Sequence, residues 1–206
     1  MFLEAPNLPG HAGWIEVVCG SMFSGKTEEL IRRLKRAQFA RQRVELYKPS
    51  YDTRYHETQV VSHEGRAIPS TPVTAAQQIL LLAPPDVQVV GIDEAQFFDN
   101  GIVAVATELA NRGVRVVIAG LDMDYRGRPF GPMPQLLAVA EYVTKLHAIC
   151  VRTGGLAHFS HRTVADDGTH LLGHQEQYEP LSRAAFLDAT RQQPTPTADA
   201  VPEESQ

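Results

Sequence analysis

The sequence of 206 residues has room for one ordinary domain of about 100–150 residues and a small appendage. Hydrophobic residues make up 43% and charged residues 21%, which is typical of a chain with a real core and excludes a wholly disordered or collagen-like protein. The formal net charge of −5 argues against nucleic acid or an anionic membrane as a partner. No apolar run approaches the roughly 18 residues that cross a bilayer, and Cys19 and Cys150 provide no disulfide framework, so we expect a cytoplasmic protein.

The predicted elements alternate between strands and helices, after a leader at 1–13 that we expect to be flexible. A short β-branched run at 14–19 predicts a buried strand, and the helical period that starts at Lys26 predicts a helix. Further strands are predicted at 44–47, 59–62, 87–92, 114–121 and 142–146, and further helices at 75–82, 102–112 and 135–140. Strands that are apolar on both faces are typical of a parallel sheet, so the pattern predicts an α/β fold with helices on both sides of the sheet.

Composition divides the chain into three parts after the leader. Residues 14–147 carry the alternating strands and helices and form the predicted main domain. Residues 148–190 are richer in histidine, glycine, serine and threonine, and we expect a small separate lobe there. The tail at 191–206 is rich in proline and polar residues and has no aromatic residue, which predicts disorder.

A phosphate-binding pattern follows the first predicted strand. Eight residues match G-x-x-x-x-G-K-[ST] at every fixed position: Gly20, Ser21, Met22, Phe23, Ser24, Gly25, Lys26 and Thr27. Glycines let the backbone wrap around phosphate groups, Lys26 is suited to the β- and γ-phosphates, and the Thr27 hydroxyl is suited to Mg²⁺. The pattern predicts an ATP-binding P-loop with Thr27 as a magnesium ligand; a chance match in a glycine-containing loop is the alternative.

Two acidic residues, Asp93 and Glu94, follow the apolar strand predicted at 87–92. A P-loop site needs a second metal ligand, and an acidic residue at the end of a strand commonly provides it. Because neighbouring side chains alternate across a strand, Asp93 can point towards Mg²⁺ while Glu94 acts as a general base. The alternative interpretation is a pair of solvated acids at a strand end.

Five motifs, in the same order, resemble those of type II thymidine kinases over about residues 14–190. They are the P-loop with Glu28-Glu29-Leu30, then Lys48-Pro49 with Asp52-Thr53-Arg54-Tyr55, Ser62-His63-Glu64-Gly65, Asp93-Glu94-Ala95-Gln96-Phe97-Phe98, and the run from Gly120 to Gly131. The resemblance implies a RecA-like P-loop domain that transfers the ATP γ-phosphoryl group to the 5′-hydroxyl of thymidine or deoxyuridine. It also implies a homotetramer and feedback inhibition by thymidine triphosphate (dTTP).

The resemblance assigns further residues to the reaction. Glu94 matches the family's catalytic base, and Lys26 is the expected catalytic cation at the phosphates. Asp52 and Arg54 match residues around the phosphates, the metal and the 5′-oxygen; an ordinary loop ion pair is the alternative for these two. Gln96, which belongs to the same motif as Glu94, is assigned to the ATP site.

Thymine would be bound by residues from several segments. The matches to the apolar walls of the family's base site are Met22, Phe97, Leu121 and Tyr125. Such residues also commonly form plain core. The matches to a loop that closes over the base are Ser160, Arg162, Gly173 and Tyr178. His174 stands where the family commonly has glycine, so the backbone there is expected to differ.

The small lobe departs from the family at its metal site. The family commonly has a zinc ribbon with four cysteines, and the corresponding positions here are Cys150, Thr153, Ser182 and Ala185. Thr, Ser and Ala cannot replace thiolates in a structural zinc site. We therefore predict a degenerate zinc ribbon without structural zinc; a substitute site formed by nearby histidines is the alternative.

Two other functions fit a P-loop. One is an ATPase in which Glu94 activates water, and the other is a nucleotide-binding regulatory protein that transfers no phosphate. The complete set of P-loop and acidic residues argues against the second, since a protein without chemistry has no need of all of them. Thymidine-stimulated release of ADP distinguishes a kinase from an ATPase.

Overall fold

The computed structural model describes residues 13–50, 59–61, 67–163 and 177–192. The strands are β1 (Trp14–Gly20), β2 (Val44–Pro49), β3 (Gln59–Val61), β4 (Ala67–Pro69), β5 (Thr71–Val73), β6 (Val89–Ile92), β7 (Arg115–Gly120), β8 (Tyr142–Leu146), β9 (Ala148–Ile149), β10 (Leu156–Ala157), β11 (Phe159–Arg162) and β12 (Tyr178–Leu181). The helices are α1 (Lys26–Phe39), α2 (Gln78–Leu82), α3 (Gly101–Asn111), α4 (Met133–Val139) and α5 (Arg183–Gln192), with a 3-10 helix at Ala95–Phe97. Across these described ranges, no helix combines the length and apolar composition that crossing a membrane requires.

Within the described residues, six strands form one sheet in the order β5-β2-β6-β7-β1-β8. Every pairing in this sheet is parallel, which confirms the predicted α/β fold. β1 lies between β7 and β8. The loop after β1 therefore lies at the carboxyl edge of the sheet, beside the ends of both neighbours, where ligands of such folds bind.

Two hydrophobic layers cover the two faces of this sheet. Leu30 and Leu34 of α1 belong to one layer. Ile102 of α3 belongs to the other, together with residues of α2 and α4. Val116 and Val117 are adjacent on β7 and fall in different layers, because successive side chains of a strand point to opposite faces. The strands are apolar on both faces for this reason.

Some elements begin at other residues than the sequence predicts. α2 begins at Gln78, three residues late, because the N–H groups of Gln78 and Ile79 bond to carbonyl oxygens three residues earlier, so the preceding turn is of the 3-10 type. α4 begins at Met133, two residues early, since Pro132 and Pro134 are compatible with the start of a helix. The edge strand β5 was not predicted.

The C-terminal segment, residues 148–163 and 177–192, has its own small core. β9 pairs with β10 and β11 pairs with β12, both antiparallel. Its buried cluster consists of Ala148, Cys150, Ala157, Phe159, Leu181, Ala185, Phe186 and Ala189. Helix α5 runs to Gln192, so it includes the first two residues of the predicted tail.

A buried ion cluster joins α1 to β1 and β7. Glu16 on β1 is fully buried, and its carboxylate accepts hydrogen bonds from Arg33 Nη1 at 2.8 Å and from Arg115 Nε at 2.7 Å. The Trp14 indole N–H donates to the same carboxylate at 2.7 Å. Charged groups this deeply buried need such partners. The cluster ties the helix that follows the phosphate-binding loop to two central strands.

Candidate active site

The phosphate-binding loop begins where β1 ends. Gly20 has a φ of 143°, and a Cβ atom on it would lie 2.2 Å from the carbonyl oxygen of Leu146 on β8. Only glycine therefore occupies this position without displacing the neighbouring strand. The chain then turns into α1 at Lys26, directly after Gly25 in a left-handed conformation. The start of this helix offers backbone N–H groups and positive potential to a phosphate.

The side chain of Lys26 lies across this loop. Its ammonium donates a 2.8 Å hydrogen bond to the Ser21 carbonyl oxygen, and the Ser24 hydroxyl donates to the same oxygen at 2.7 Å. Burial lowers the pKa of Lys26, while the negative charges of Glu94 and Asp93 act in the opposite direction. The loop and the two acids, 66 residues and more apart in sequence, thus belong to one electrostatic site.

Asp93 follows β6 and faces Thr27. Thr27 Oγ1 lies 3.5 Å from Asp93 Oδ2, and the Glu94 backbone N–H donates a 3.0 Å hydrogen bond to Asp93 Oδ1. Asp93 is 6% exposed. Burial, together with the charge of Glu94, raises the pKa of Asp93 to about 7. Burial and Glu94 thus disfavour the charged form of Asp93 more than the nearby Lys26 and Thr27 favour it.

Thr27 Oγ1 and Asp93 Oδ2 are positioned to bind one divalent cation. Neighbouring ligands at about 2.1 Å from Mg²⁺ in an octahedral site lie about 3 Å apart. The 3.5 Å between Thr27 Oγ1 and Asp93 Oδ2 is close to that separation. A positive charge there would also lower the pKa of Asp93. The residues present therefore fit the predicted Mg²⁺.

Glu94 sits on a turn between β6 and the 3-10 helix. Its backbone is left-handed, with φ 51° and ψ 41°, an uncommon conformation for a residue with a side chain. The turn separates the two acids, since Asp93 is buried and Glu94 is exposed. The Gln96 amide donates a hydrogen bond of 2.5 Å to Glu94 Oε2, and Gln96 Oε1 accepts one of 2.9 Å from the Leu121 N–H. Glu94 is thereby connected to the loop after β7.

Apolar side chains lie next to this turn. The rings of Phe97 and Phe130 pack edge to face with 5.4 Å between their centroids. Leu121, directly after β7, donates its backbone N–H to Gln96 of the same turn. The structure thus brings two of the predicted base-site residues, Phe97 and Leu121, to the immediate neighbourhood of Glu94. Phe130 belongs to a quoted motif, but its contact was not predicted.

Three further predicted residues form an aromatic cluster. The Arg162 guanidinium carbon lies 3.9 Å from the centroid of the Tyr125 ring and 5.7 Å from that of Tyr178. Arg162 Nη2 also donates a 3.3 Å hydrogen bond to the Tyr178 hydroxyl, and Arg162 is 3% exposed. Arg126 approaches the Tyr125 ring at 5.1 Å and donates to its hydroxyl at 2.8 Å. This cluster joins the loop after β7 to β11 and β12.

Strands β10 and β11 also contact the phosphate-binding loop. The Met22 N–H donates a 2.9 Å hydrogen bond to Ser160 Oγ. The Ser21 hydroxyl lies 3.5 Å from the Ala157 carbonyl oxygen. Met22 and Ser160 were predicted as separate parts of the base site, and the structure makes them direct neighbours.

The four positions of the family's zinc site lie in the C-terminal segment. Thr153 Oγ1 is 3.5 Å from Ser182 Oγ, which accepts a 3.4 Å hydrogen bond from the Ala185 N–H. Burial raises the pKa of Cys150, but hydrogen bonds from the two hydroxyls and from backbone amides outweigh it and lower the value to about 6. In the part of the chain that the structure describes, no three His, Cys, Asp or Glu side chains are grouped to hold a metal. The absence of structural zinc stays a prediction.

Three predicted site residues, Asp52, Arg54 and Gly173, lie outside the described residues. The same is true of 1–12 in the predicted leader and 193–206 in the predicted tail. The roles of the three residues stay predictions, as do the flexible leader and the disordered tail.

Sequence reasoning missed an ion pair beside the loop. Lys145 Nζ lies 2.7 Å from Asp122 Oδ2, and the pair spans the ends of β8 and β7 on either side of β1. Burial and the Asp122 charge raise the pKa of Cys19, at the end of β1, to about 11. The sequence did carry one signal for this pair, since both charged residues lie near the carboxyl ends of predicted strands.

Comparison with known proteins identifies the family. The thymidine kinase family model matches residues 13–186. The chain belongs to the thymidine kinase family. A thymidine kinase of Bacteroides thetaiotaomicron is 63% identical over 177 residues, which is 86% of this chain and 88% of that protein. Thymidine kinases of Rhodothermus sp. and Bdellovibrio bacteriovorus are 60% and 55% identical, over 92% and 84% of this chain and 86% and 85% of their own lengths.

Membership in the thymidine kinase family makes this protein a transferase that uses ATP. The predicted family and enzyme class are confirmed. The two alternatives, an ATPase and a regulatory protein without transferase activity, find no support. In this thymidine kinase family member, the P-loop and the acids after β6 occupy adjacent positions at one edge of the sheet.

Proposed function

We propose that this protein transfers the γ-phosphoryl group of ATP to the 5′-hydroxyl of thymidine, and of deoxyuridine. The observation that carries the proposal is the proximity of the P-loop to Asp93 and Glu94. Such a site combines phosphate binding with a carboxylate that can accept the proton of a sugar hydroxyl. The proposed ATP site comprises the eight P-loop residues with Asp93.

In the proposed step, the 5′-oxygen attacks the γ-phosphorus. A bond forms between these two atoms, the bond from the γ-phosphorus to the β–γ bridging oxygen breaks, and its electron pair leaves with ADP. The hydroxyl proton passes to the Glu94 carboxylate and from there to solvent, which the exposure of Glu94 allows. Lys26 and the loop N–H groups stabilise the negative charge on the phosphates.

Mg²⁺ is the proposed cofactor, held by the Thr27 hydroxyl and the Asp93 carboxylate. When bound, it would neutralise charge on the β- and γ-phosphates. The support is the approach of these two oxygens and the raised pKa of the buried Asp93. Turnover should stop in excess EDTA and return with added Mg²⁺, and turnover that persists in EDTA would contradict this part of the proposal.

Thymine is proposed to bind beside the aromatic cluster of Tyr125, Arg162 and Tyr178. The stacking of Arg162 on Tyr125 supports this, because a rigid aromatic surface binds a planar base at small entropic cost. The other proposed contacts are Met22, Phe97, Leu121, Ser160 and Gly173. The roles of Asp52, Arg54 and Gly173 come from the family resemblance alone.

A homotetramer is the proposed assembly. The resemblance suggests it, and edge strand β8 supports it by leaving Tyr142 39% and Val143 49% exposed. Apolar side chains on an edge strand favour pairing with another chain. Light scattering during size-exclusion chromatography should give four times the 22.7 kDa mass of the chain. A mass of one chain would contradict the assembly.

Inhibition by dTTP and a cytoplasmic location are also proposed. dTTP carries both a thymine and a triphosphate, so it can compete for the base site and the phosphate site together. Cys19 and Cys150 are both free, as expected in a reducing compartment. Steady-state rates with added dTTP test the first proposal, and microscopy of the tagged protein in its own cells tests the second.

A radiolabel assay tests the central proposal. The protein is incubated with [γ-³²P]ATP and thymidine, deoxyuridine, deoxycytidine or deoxyadenosine, and the labelled products are separated. Label should appear in the monophosphates of thymidine and deoxyuridine. Equal transfer to all four nucleosides would contradict the proposed substrate, and hydrolysis of ATP that thymidine does not stimulate would contradict a kinase.

A further inference from the structure

We infer that Gln96 is a positioning residue that holds the Glu94 carboxylate in the orientation needed for proton transfer. The inference rests on the proposed function, in which Glu94 is the general base. It replaces the role in ATP binding that the resemblance gives to Gln96. Gln96 acts through Glu94 and contacts no substrate in this account.

The carboxylate of Glu94 needs a hydrogen-bond partner to hold one orientation, because the residue is exposed. The residue is exposed and lies on a turn with left-handed backbone, so packing does not select one rotamer of its carboxylate. The Gln96 amide supplies the missing restraint by donating to Glu94 Oε2 at 2.5 Å. Hydrogen bonds to a charged group are stronger than those between neutral groups, so this one favours a single orientation of the carboxylate.

The side chain of Gln96 is itself fixed by burial and by a second hydrogen bond. It is 2% exposed, and its Oε1 accepts a 2.9 Å hydrogen bond from the Leu121 N–H. A Cβ atom on Gly120 would lie 2.9 Å from that same oxygen, so the glycine leaves the space that the amide fills. The Leu121 N–H can only donate and the Glu94 carboxylate accepts, which fixes which end of the amide carries the oxygen.

This geometry connects the base to the nucleoside site. Leu121 belongs to the proposed thymine site, and the Gln96 amide bridges it to Glu94. A general base works only within hydrogen-bond reach of the proton it removes, and a displacement of about 1 Å can cost about 100-fold in rate. Loss of the bridge should therefore lower kcat by a larger factor than it raises the KM for thymidine.

The test compares Gln96→Met with Gln78→Met. Gln78 is a matched control, because its side-chain oxygen also accepts a 2.9 Å hydrogen bond from a backbone N–H, that of Thr74, on a helix outside the site. For Gln96→Met, kcat for transfer to thymidine should fall about 10-fold or more, and the KM for ATP should stay within about 3-fold of wild type. The KM for thymidine should rise about 5-fold at most, because the Leu121 N–H loses its acceptor. Gln78→Met should keep the wild-type kcat.

Two further variants exclude a merely structural role. Gln96→Asn keeps an amide that is too short to bridge both partners, so it should lose kcat like Gln96→Met even if the latter folds poorly. In a Glu94→Gln background, Gln96→Met should cost less than about 2-fold, because the carboxylate that it positions is gone.

Several outcomes would overturn the inference. They are a wild-type kcat in both Gln96 variants, KM values that rise as much as kcat falls, and a full repeat of the loss in the Glu94→Gln background. Failure of the proposed function looks different, since the wild-type protein itself would then transfer no label to thymidine.

Discussion

The backbone N–H of Met22 in the phosphate-binding loop donates a 2.9 Å hydrogen bond to the hydroxyl oxygen of Ser160 on β11. These residues are 138 positions apart in the sequence. Through this bond the C-terminal segment holds the first turn of the loop that is proposed to bind ATP. The conformation of the loop therefore depends on a strand that belongs to a different core cluster.

Replacing Ser160 by alanine should weaken ATP binding. The change leaves the part-buried Met22 N–H without its acceptor, and a hydrogen bond of this kind contributes about 1 kcal/mol, or about 5-fold in an equilibrium constant. We expect the KM for ATP to rise by about that factor. Ser160→Thr keeps the hydroxyl and serves as the control. Equal KM values for Ser160→Ala and wild type would show that the bond does not shape the loop.

Replacing Arg162 by methionine should destabilise the fold more than the same change at Arg126. Both guanidinium groups approach the Tyr125 ring, but Arg162 is buried at 3.9 Å whereas Arg126 is exposed at 5.1 Å. A desolvated cation–π contact contributes about 2 kcal/mol and an exposed one about 0.5–1 kcal/mol. Chemical denaturation should show the free energy of unfolding falling by about 2 kcal/mol for Arg162→Met and by less than about 1 kcal/mol for Arg126→Met. Similar effects at both positions would refute the ranking by burial.

Replacing Glu16 by glutamine should destabilise the fold strongly. The change puts a neutral amide in place of the carboxylate that the buried Arg33 and Arg115 share. Arg33 keeps its 2.8 Å pair with Glu29, so we expect a cost near the lower end of the roughly 3–5 kcal/mol for breaking a buried ion pair. Glu108→Gln is the control, since its pair with Arg112 is exposed and contributes about 0.3–0.5 kcal/mol. Chemical denaturation gives the free energy of unfolding for both. A loss at Glu16 as small as that at Glu108 would contradict the account of the cluster.

Purified protein should contain no stoichiometric zinc. Of the four expected zinc-ligand positions, one carries a thiol, that of Cys150. The other three are Thr153, Ser182 and Ala185. Elemental analysis by mass spectrometry should find well under one zinc per chain, and treatment with a zinc chelator should leave the thermal unfolding midpoint unchanged. One tightly held zinc per chain would contradict the prediction.

Five of the six strands of the sheet and the P-loop were predictable because their signals are local. The β-branched run before Gly20, the spacing to Lys26 and the acids after β6 each follow from a few neighbouring residues. The start of α2 was missed because the turn ahead of Gln78 has hydrogen bonds that span three residues, and the helical period does not separate such a turn from an α-helix. Helix propensity does not predict which of these two conformations the segment adopts.

The contacts within the site were not predictable in the same way. The resemblance identified Met22, Ser160 and Gln96 as members of the site, but their mutual bonds depend on how distant strands meet. The Asp122–Lys145 pair was missed for the same reason, since the two residues approach only once β7 and β8 flank β1. A single sequence shows which residue types are available and leaves their pairing to tertiary structure.

The most direct test of the account measures thymidine phosphorylation and ATP binding in the Glu94→Gln variant. Loss of a general base lowers turnover by about 100-fold or more, while the P-loop that binds the nucleotide is unchanged. We predict that kcat falls by at least that factor, that calorimetry gives an ATP affinity near wild type, and that Glu108→Gln behaves like wild type in both measurements. A Glu94→Gln variant that phosphorylates thymidine at the wild-type rate would contradict the role of Glu94 as the base and, with it, the proposed catalytic site.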